Sequence, residues 1–264
     1  MRDLLERHGL KPTRSLGQNF LVDGNLLRLI VASACVTPDS TVLEVGPGLG
    51  VLTAAIAATG ARVTTVEKDV RLAPALLETL GRLDNVKVVF EDALSFDLSD
   101  LPVGSIFVSN LPYYVSTAIL TRMLACGKFS RLTVLVQREV ADRLTAKPGQ
   151  PAFGFLSAIV GLTATAKRVR DVPRNAFWPA PTVTSSIVTV TPTPGKTLNP
   201  AVTAILEAAL HHRRKTLRNN LALAGFTPER VVAALQAVRL TGDERAETLP
   251  LAVYPQLAEQ LRVD

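Results

Sequence analysis

Short apolar runs alternate with amphipathic segments along the first three-quarters of the chain. About seven of these runs have the length and composition of buried strands. They cover residues 41–45, 62–66, 86–90, 105–109, 131–137, 166–172 and 185–190. Helix-like segments separate the first five, as in βαβ units, so the pattern predicts an α/β fold with a mostly parallel sheet. The last two runs are close in sequence, and we expect them to form an antiparallel hairpin at the sheet edge.

A different pattern begins after residue 194. Proline and glycine in the segment 191–195 predict a linker. Apolar residues at helical spacing then continue over residues 200–220, 228–238 and 251–262. The sequence therefore predicts two domains, residues 1–194 with the sheet and residues 195–264 as a small all-helical domain. A further helix is expected at residues 23–35, ahead of the first strand.

A glycine-rich turn follows the first predicted strand. Gly46-Pro47-Gly48-Leu49-Gly50 leads directly into a helix-like segment, residues 51–58. Glycine permits positive φ and a close approach of the backbone to a ligand, and a helix start offers unpaired N–H groups. The next strand ends at Glu67, about twenty residues beyond the first glycine, where a carboxylate can accept hydrogen bonds from both hydroxyls of a ribose. Together these features predict a site for a ligand that contains a ribose.

Polar residues also end the next two predicted strands. Asp92 follows the strand at 86–90, and Asn110-Leu111-Pro112-Tyr113 follows the strand at 105–109. Because the carboxyl ends of parallel strands meet at one edge, Asp92 can accept from the amino group of an adenine there. The Asn110 side-chain oxygen and a main-chain carbonyl can accept from an exocyclic amine, while Tyr113 stacks on a flat nitrogen base. Each feature alone also has a purely structural explanation. Asp92 could cap the following helix, and Asn110-Leu111-Pro112-Tyr113 could simply form a turn.

Several longer motifs resemble one known family. They are Ser15-Leu16-Gly17-Gln18-Asn19-Phe20-Leu21, Glu44-Val45-Gly46-Pro47-Gly48-Leu49-Gly50, Glu67, Asp92-Ala93-Leu94, Asn110-Leu111-Pro112-Tyr113, Asn175-Ala176-Phe177-Trp178-Pro179-Ala180-Pro181-Thr182-Val183 and Arg213-Arg214-Lys215-Thr216-Leu217-Arg218-Asn219. Through these stretches the chain resembles the bacterial KsgA family of small-subunit ribosomal RNA adenine N6,N6-dimethyltransferases. The glycine turn is shared by many methyltransferases, whereas the first motif and the proline-rich one are specific to this kind of enzyme. The resemblance implies a Rossmann-like class I methyltransferase sheet and S-adenosyl-L-methionine as cofactor.

The resemblance also implies roles for individual residues. The implied cofactor-binding residues are Gln18, Asn19, Leu21, Gly46, Gly48, Glu67, Lys68, Asp92, Ala93 and Asn110. Among them, Asn19 and Leu21 would cover the methionine end, Glu67 would hold the ribose and Asp92 the adenine. The residues implied to act in catalysis are Asn110, Leu111, Pro112, Tyr113 and Phe177. Phe177 would form a second stacking wall opposite Tyr113, although the residue type alone favours a position in the core.

The N6 nitrogen of adenine is a poor nucleophile, because its lone pair is delocalised into the ring. If the Asn110 oxygen and the carbonyl of Leu111 or a neighbour accept its two hydrogens, the nitrogen moves toward tetrahedral geometry. Its lone pair then points at the sulfonium methyl, and alignment is the main catalytic contribution. The proton leaves after the nitrogen has become cationic, so no dedicated general base is expected.

The densest basic run lies in the predicted helical domain, at residues 211–218. On a helix, Arg214 and Arg218 would share one face with Lys215 beside them. Such a run is often only a solvated face. With the basic N-terminal arm, residues 7–14, and the resemblance, contact with the RNA backbone becomes the favoured hypothesis. The expected RNA-binding residues are Arg213, Arg214, Lys215 and Arg218.

Composition agrees with this interpretation. The 264 residues are 47% hydrophobic, and 29 basic against 23 acidic residues give a net charge of +6, which suits a polyanionic partner. Cys35 and Cys126 lack a Cys-x-x-Cys spacing and are expected to be reduced core residues. Adjacent His211 and His212 lack the spacing of helical metal ligands, so no metal is expected. No secretory leader or apolar run of about 18 residues occurs, so we expect a cytoplasmic protein without a membrane partner. We also expect the protein to be a monomer.

Several functional classes stay open at the level of sequence. One is the dimethyltransferase, which would modify two adjacent adenosines in the 3′-terminal hairpin of 16S ribosomal RNA within a pre-30S particle and assist its maturation. A nicotinamide-dependent oxidoreductase is disfavoured, because dinucleotide sites have Gly-x-Gly-x-x-Gly spacing instead of Gly-x-Gly-x-Gly. A third class is a non-catalytic RNA-binding assembly factor. A large-subunit adenine methyltransferase shares much of the motif set, but the basic run and the Phe-x-Pro-x-Pro spacing favour the small-subunit family.

Overall fold

A seven-stranded sheet is the main element of the structure. The computed structural model describes residues 2–13 and 17–261. The strands in the described residues, including two outside this sheet, are β1 (Phe20–Leu21), β2 (Thr41–Val45), β3 (Arg62–Glu67), β4 (Val86–Phe90), β5 (Ser105–Asn110), β6 (Phe129–Gln137), β7 (Ala164–Val172), β8 (Phe177–Trp178) and β9 (Ser185–Pro192). The sheet order is β4-β3-β2-β5-β6-β9-β7, and β1 pairs with β8 separately. The pairs from β4 to β6 are parallel and β9 is antiparallel to β6, which confirms a mostly parallel α/β sheet.

Helices fill most of the remaining chain. They are α1 (Arg2–Arg7), α2 (Gly24–Ala34), α3 (Val51–Ala57), α4 (Ala73–Leu80), α5 (Ser116–Ala125), α6 (Arg138–Thr145), α7 (Phe155–Thr163), α8 (Pro200–Leu210), α9 (Leu217–Leu223), α10 (Pro228–Ala237) and α11 (Val253–Leu261). The helical C-terminal region is therefore confirmed. Within the described ranges, none of these helices combines the length and the apolar character needed to cross a bilayer.

The strand order reverses beside β2. The chain goes outward from β2 through β3 to β4, and then places β5 on the other side of β2. In open parallel sheets, ligands bind outside the carboxyl ends of the strands at such a reversal. The hydroxyl of Ser109 in β5 donates to the carbonyl of Val45 in β2 at 2.6 Å, so the two strand ends are joined directly. This bond sets Asn110 beside the turn that begins at Gly46.

Helix α2 shows how local sequence and packing place a helix on the sheet. The Asp23 carboxylate caps its N-terminus by accepting from two backbone N–H groups of the first turn. Leu26, Ile30 and Ala34, spaced by four residues, form the buried face in the core. The helix ends at Cys35, which adopts a left-handed conformation and is exposed. The expectation of a core position for Cys35 is wrong, because the buried face ends one residue earlier.

A second apolar cluster holds the N-terminal segment. Leu5 of α1 is 2% exposed and packs with Phe20 and with apolar side chains of residues 72–80. Beside it, the carboxylate of Glu78 accepts hydrogen bonds from Arg7 and His8. Arg7, expected in a basic arm for RNA, is thus engaged in an ion pair. Arg14, the last residue of that arm, lies outside the described residues, as do Ser15 and Leu16, the first two residues of the Ser15–Leu21 motif.

The described residues form two compact units. The first contains residues 1–141 and 166–194, and the second contains residues 142–165 and 195–264. The sequence pattern places residues 142–165 in the first domain, and the structure differs. They belong to the second unit because α7 packs on α8, and Gly161 of α7 lies against the side chain of Leu251. The apolar pattern of α7 indicates burial but not which partner covers it.

The basic run is a turn between two helices. Helix α8 ends at Leu210, and α9 begins after Thr216, whose hydroxyl caps it by accepting from the N–H of Asn219. The prediction of one helix over residues 200–220 is therefore wrong. The expectation that Arg214 and Arg218 share one helical face fails with it, since only Arg218 is helical.

Side-chain hydrogen bonds explain the break. The amide of Asn220 donates to the carbonyls of Ala209 and His212, which satisfies carbonyls at the C-terminal end of α8. The N–H of Leu217 donates to the carbonyl of Glu244 at 2.8 Å. These partners come from outside the helical repeat, so apolar spacing alone does not reveal them.

Candidate active site

The carboxyl ends of β2, β3, β4 and β5 open into one cleft. Residues 17–21, here named the covering segment, also line this cleft. The cleft contains all residues that the sequence assigned to a cofactor, together with Leu111, Pro112 and Tyr113 of the proposed catalytic set. The assigned cofactor residues in its wall are Gln18, Asn19, Leu21, Gly46, Gly48, Glu67, Lys68, Asp92, Ala93 and Asn110.

Two glycines make the turn after β2 fit closely between its neighbours. Gly46 has φ 69°, and a Cβ there would lie 3.1 Å from Cγ of Pro112. Gly48 has φ 59°, and a Cβ there would lie 2.9 Å from the ring of Phe20. L-residues rarely adopt such φ values, and a side chain would also fill the space. At these two positions the turn therefore has bare backbone where a side chain would collide with its neighbours.

Glu67 projects a fixed carboxylate into the cleft from the end of β3. Its Oε2 accepts from the N–H of Gly48 at 3.3 Å, and its Oε1 accepts from the N–H of Asp69 at 2.8 Å. The residue is 7% exposed, and burial raises the pKa of its carboxyl. Each carboxylate oxygen can accept a further hydrogen bond. The arrangement suits a ligand that donates through paired hydroxyls.

Asp92, which follows β4 in the cleft wall, forms an ion pair with Lys68. Its Oδ2 is 2.7 Å from Nζ of Lys68, and its Oδ1 accepts from the N–H of Leu94 at 2.9 Å. The hydrogen bond from Lys68 lowers the pKa of the Asp92 carboxyl. Asp92 is therefore an ionised acceptor, and Lys68 beside Glu67 spans the gap between the two acids.

Gln18, which also lines the cleft, has protein partners at both ends of its side-chain amide. Its Oε1 accepts from the N–H of Thr13 at 2.8 Å, and its Nε2 donates to Oδ2 of Asp69 at 2.9 Å. Asp69 also accepts from Nε of Arg71 at 2.7 Å, which lowers the pKa of Asp69. Both ends of the Gln18 amide therefore have partners, and its NH₂ group ties the covering segment to Asp69, two positions after Glu67. The sequence signal for Asp69 is its place as the cap of the helical turn at residues 70–72.

Asn110 has its side-chain amide oriented by the covering segment. Its Nδ2 donates to the carbonyl of Asn19 at 3.2 Å. A carbonyl only accepts hydrogen bonds, so the NH₂ group must face Asn19 and the oxygen must be the other end of the amide. The Asn110 oxygen is therefore the acceptor that remains for a ligand in the cleft.

The backbone of the Asn-Leu-Pro-Tyr motif offers one matching acceptor. The carbonyl of Pro112 accepts from the N–H of Val115 at 3.3 Å. The carbonyl of Tyr113 accepts from the hydroxyl of Ser116 at 3.2 Å. Neither of these bonds uses the carbonyl of Leu111. Leu111 is thereby favoured over its neighbours as the second acceptor beside Asn110.

Tyr113 is the aromatic side chain of the motif. Its ring is half-buried in the cleft wall, and its hydroxyl lies 2.6 Å from Oγ of Ser185 in β9. Burial raises the pKa of Tyr113, so the phenol stays protonated. Ser185 is absent from the residues that the sequence singles out, because no local pattern signals this contact.

Phe177 does not line this cleft. It is 3% exposed and belongs to the core cluster with Leu21, Leu26 and Ile30. The pairing of β8 with β1, in which Phe177 lies opposite Leu21, turns the ring toward that cluster. This placement corrects the expectation of a second stacking wall. The proline spacing around Phe177 identifies the segment but carries no information on the direction of the ring.

Glu44 is a buried acid at the floor of the cleft. It is 1% exposed, and burial raises its pKa to about 8. Over the described residues, His, Cys, Asp and Glu side chains form no group of three or more that could hold a metal ion. Burial favours the neutral form of Glu44, whereas the Glu67 carboxylate accepts from N–H groups and the Asp92 carboxylate from an N–H group and Lys68.

These features define a class of protein. The bare backbone at Gly46 and Gly48, the fixed carboxylate of Glu67 and the ionised Asp92 suit a ligand that lies against the turn and donates hydrogen bonds through hydroxyl and amino groups, as S-adenosylmethionine can. The sheet and the cleft are those of a class I methyltransferase that depends on S-adenosylmethionine. A family model described as ribosomal RNA adenine dimethylase matches residues 9–262. The chain belongs to this family, and it is an enzyme that dimethylates adenine in ribosomal RNA.

Relatives are similar over nearly the whole chain. A ribosomal RNA small subunit methyltransferase A from Deinococcus radiodurans is 51% identical, over 100% of this chain and 90% of the relative. A protein of the same name from Streptococcus pneumoniae is 42% identical over 98% of this chain and 95% of the relative. The crystal structure of 23S rRNA methyltransferase ErmE has 29% identity and a TM-score of 0.67, over 92% of this chain and 100% of that one. A dimethyladenosine transferase from Plasmodium falciparum, 22% identical with a TM-score of 0.76 over 90% and 95%, shares the fold.

Proposed function

We propose that this enzyme dimethylates N6 of two adjacent adenosines in the hairpin near the 3′ end of small-subunit ribosomal RNA. In this proposal it works as a cytoplasmic monomer on a precursor of the small subunit and assists its maturation. The names of the two bacterial relatives support the choice of subunit. The observation that carries the chemistry is the Asn110 amide, whose NH₂ donates to the Asn19 carbonyl and so leaves the side-chain oxygen as the acceptor at the end of β5.

The two acceptors shape the target nitrogen. The Asn110 oxygen and the Leu111 carbonyl accept the two N6 hydrogens of a base that stacks on Tyr113. This draws the nitrogen toward tetrahedral geometry and aims its lone pair. Bound S-adenosylmethionine supplies a methyl group on a positively charged sulfur. Alignment of this kind supplies the main contribution to rate, because a misplacement of about 1 Å can cost on the order of 100-fold.

Neutral acceptors suit a neutral substrate. A carboxylate in place of Asn110 would bring a full charge into a partly buried site, which costs free energy. The Asn19–Asn110 bond also joins the two halves of the site, since Asn19 lies in the segment that covers the cofactor. The N6 proton is released to water after the nitrogen becomes cationic, so no side chain is assigned as a general base.

The turn between α8 and α9 is the proposed RNA contact. Arg213 donates to the carbonyl of Pro151 and Arg218 to that of Thr241, so both guanidinium groups already have protein partners. Residues 211–215 are all exposed. The proposal therefore centres on Arg214 and Lys215 as phosphate contacts, with Arg213 and Arg218 holding the turn as well as adding charge.

Substitution of both Arg214 and Lys215 by Ala should weaken binding to small subunits and reduce its salt dependence. Removing one Lys or Arg that binds a phosphate lowers the slope of log affinity against log salt by about 1. Filter binding at several salt concentrations measures both quantities. Lys196→Ala removes an equally exposed charge from the same unit and serves as control. Equal slopes for the double variant and the parent would show that this turn does not touch RNA.

The proposed target is tested by methylation of separated subunits. Large and small subunits from a strain without this methylation are incubated with the enzyme and labelled S-adenosylmethionine. We expect label in small-subunit RNA as N6,N6-dimethyladenosine at two neighbouring positions, located by mass spectrometry. Label in the large subunit alone would favour the second candidate, a large-subunit adenine methyltransferase, which the likeness to ErmE supports. Binding without label would leave an assembly factor.

A further inference from the structure

The ring of Tyr113 is held at both ends. At the backbone, its carbonyl accepts from the hydroxyl of Ser116. At the tip of the ring, its phenol lies 2.6 Å from the hydroxyl of Ser185, the first residue of β9, which is 0% exposed. A hydrogen bond between two hydroxyls at this distance is short and well formed. The angle of the ring in the cleft is therefore set by a strand on the far side of β6.

We propose that Ser185 is a positioning residue that fixes the Tyr113 ring for the second of the two methyl transfers. This inference rests on the proposed function, in which Tyr113 stacks on the target base. Ser185 acts through Tyr113 and touches neither the base nor the methyl donor.

The two transfers differ in what holds the base. In the first, N6 carries two hydrogens, one for Asn110 and one for Leu111. N6 then bonds to the methyl carbon as the carbon–sulfur bond breaks and its electron pair stays on sulfur. N6 releases one proton to water. The nitrogen now carries one hydrogen and one methyl group, so it can donate to only one of the two acceptors.

Stacking must therefore contribute more of the alignment in the second transfer. A tyrosine fixed at its hydroxyl presents its face at a constant angle, whereas a ring fixed only at the backbone can turn about its side-chain torsions. A neutral hydrogen bond changes the equilibrium constant between the fixed and the freely turning ring by about five-fold. Loss of the Ser185 hydroxyl should thus slow the second transfer more than the first.

The chain provides a matched control in the next residue. Ser186 is also 0% exposed, and its hydroxyl donates to Oδ1 of Asp171 in β7 at 2.6 Å. Ser185→Ala and Ser186→Ala remove the same atom from adjacent buried positions of β9. Of these two hydroxyls, that of Ser185 bonds to Tyr113 and that of Ser186 bonds to Asp171, so general damage to the strand should affect both variants alike.

The experiment follows monomethyl- and dimethyladenosine over time by mass spectrometry, on small subunits that lack the modification. For Ser185→Ala we expect the second transfer to slow by about five-fold, so that monomethyladenosine accumulates. The first transfer should stay near the parent rate, and Ser186→Ala should give the parent ratio of products. Tyr113→Phe keeps the ring without its hydroxyl and should shift the ratio of monomethyl- to dimethyladenosine as Ser185→Ala does, and the double variant should shift this ratio no further.

An unchanged product ratio in Ser185→Ala would overturn the inference, as would an equal shift in Ser186→Ala or additive shifts in the double variant. If thermal unfolding shows that Ser185→Ala does not fold, Tyr113→Phe decides, and a parent-like ratio in it would also overturn the inference. Failure of the proposed function itself looks different, because the parent enzyme would then form no dimethyladenosine on small subunits.

Discussion

Replacement of Asn110 by Ala is expected to lower kcat by about 100- to 1000-fold, the loss typical of removing one preorganised hydrogen-bonding group from an active site. The substitution removes the acceptor for one N6 hydrogen, and it also removes the NH₂ group that joins β5 to the carbonyl of Asn19. Single-turnover methylation of small subunits at saturating cofactor measures the chemical step.

Asn110→Asp separates the two functions of the amide. The carboxylate keeps an acceptor for the target but cannot donate to Asn19, so we expect a rate between those of the parent and of Asn110→Ala. Calorimetric titration with S-adenosylmethionine shows whether the folded cleft persists in each variant. A kcat within ten-fold of the parent for Asn110→Ala would remove the acceptor role from this residue.

Glu67→Ala should weaken the binding of S-adenosylmethionine by about 10- to 100-fold. Hydrogen bonds to a charged group are worth about 1.5–3 kcal/mol, and each 1.4 kcal/mol is about ten-fold in affinity. The carboxylate is already fixed by N–H groups of Gly48 and Asp69, so the parent spends little entropy in orienting it. Calorimetric titration gives the dissociation constant. Affinity equal to that of the parent would remove the ribose assignment.

The pH dependence of the same titration adds an independent test. Burial raises the pKa of Glu67, so the protonated form persists to higher pH than in a free glutamate. Ribose hydroxyls donate best to the ionised carboxylate, and cofactor binding should therefore strengthen as pH rises through that raised pKa. Glu67→Gln cannot ionise, so its weaker binding should lack this rise. A parent affinity that is constant across this range would contradict the expected coupling.

Much of the sheet and the cleft could be predicted from the sequence. Buried strands in an α/β fold are continuous apolar runs, and several of them end at a conspicuous polar residue, such as Glu67 or Asn110. Parallel strands bring their carboxyl ends to one edge whatever the details of packing. Topology alone therefore predicts that the polar residues at these strand ends lie close together, and the structure places them around one cleft.

The remaining features depend on interactions between distant parts of the chain. Helical periodicity continues through the basic run, but Asn220 binds the end of α8 and interrupts it. Phe177 and Gln18 belong to motifs that mark their segments correctly. The direction of each side chain is set by partners elsewhere, the core around Leu21 for Phe177 and Asp69 for Gln18. Ser185 reaches Tyr113 across 72 positions, and no local pattern reports such a pairing.

The reversal of strand order beside β2 separates, along the chain, most residues assigned to the methyl donor from those assigned to the methyl acceptor. Strands β2, β3 and β4, which come first, end at residues assigned to the methyl donor alone. Strands β5 and β9, which come later, supply those assigned to the methyl acceptor, and Asn110 of β5 is assigned to both ligands. The two halves pair along β2 and β5, and the hydroxyl of Ser109 joins the ends of these strands. Mutations in the later half can thus alter which base is accepted while the earlier half is conserved, so descendants of one ancestor can acquire new targets without rebuilding the machinery for the donor.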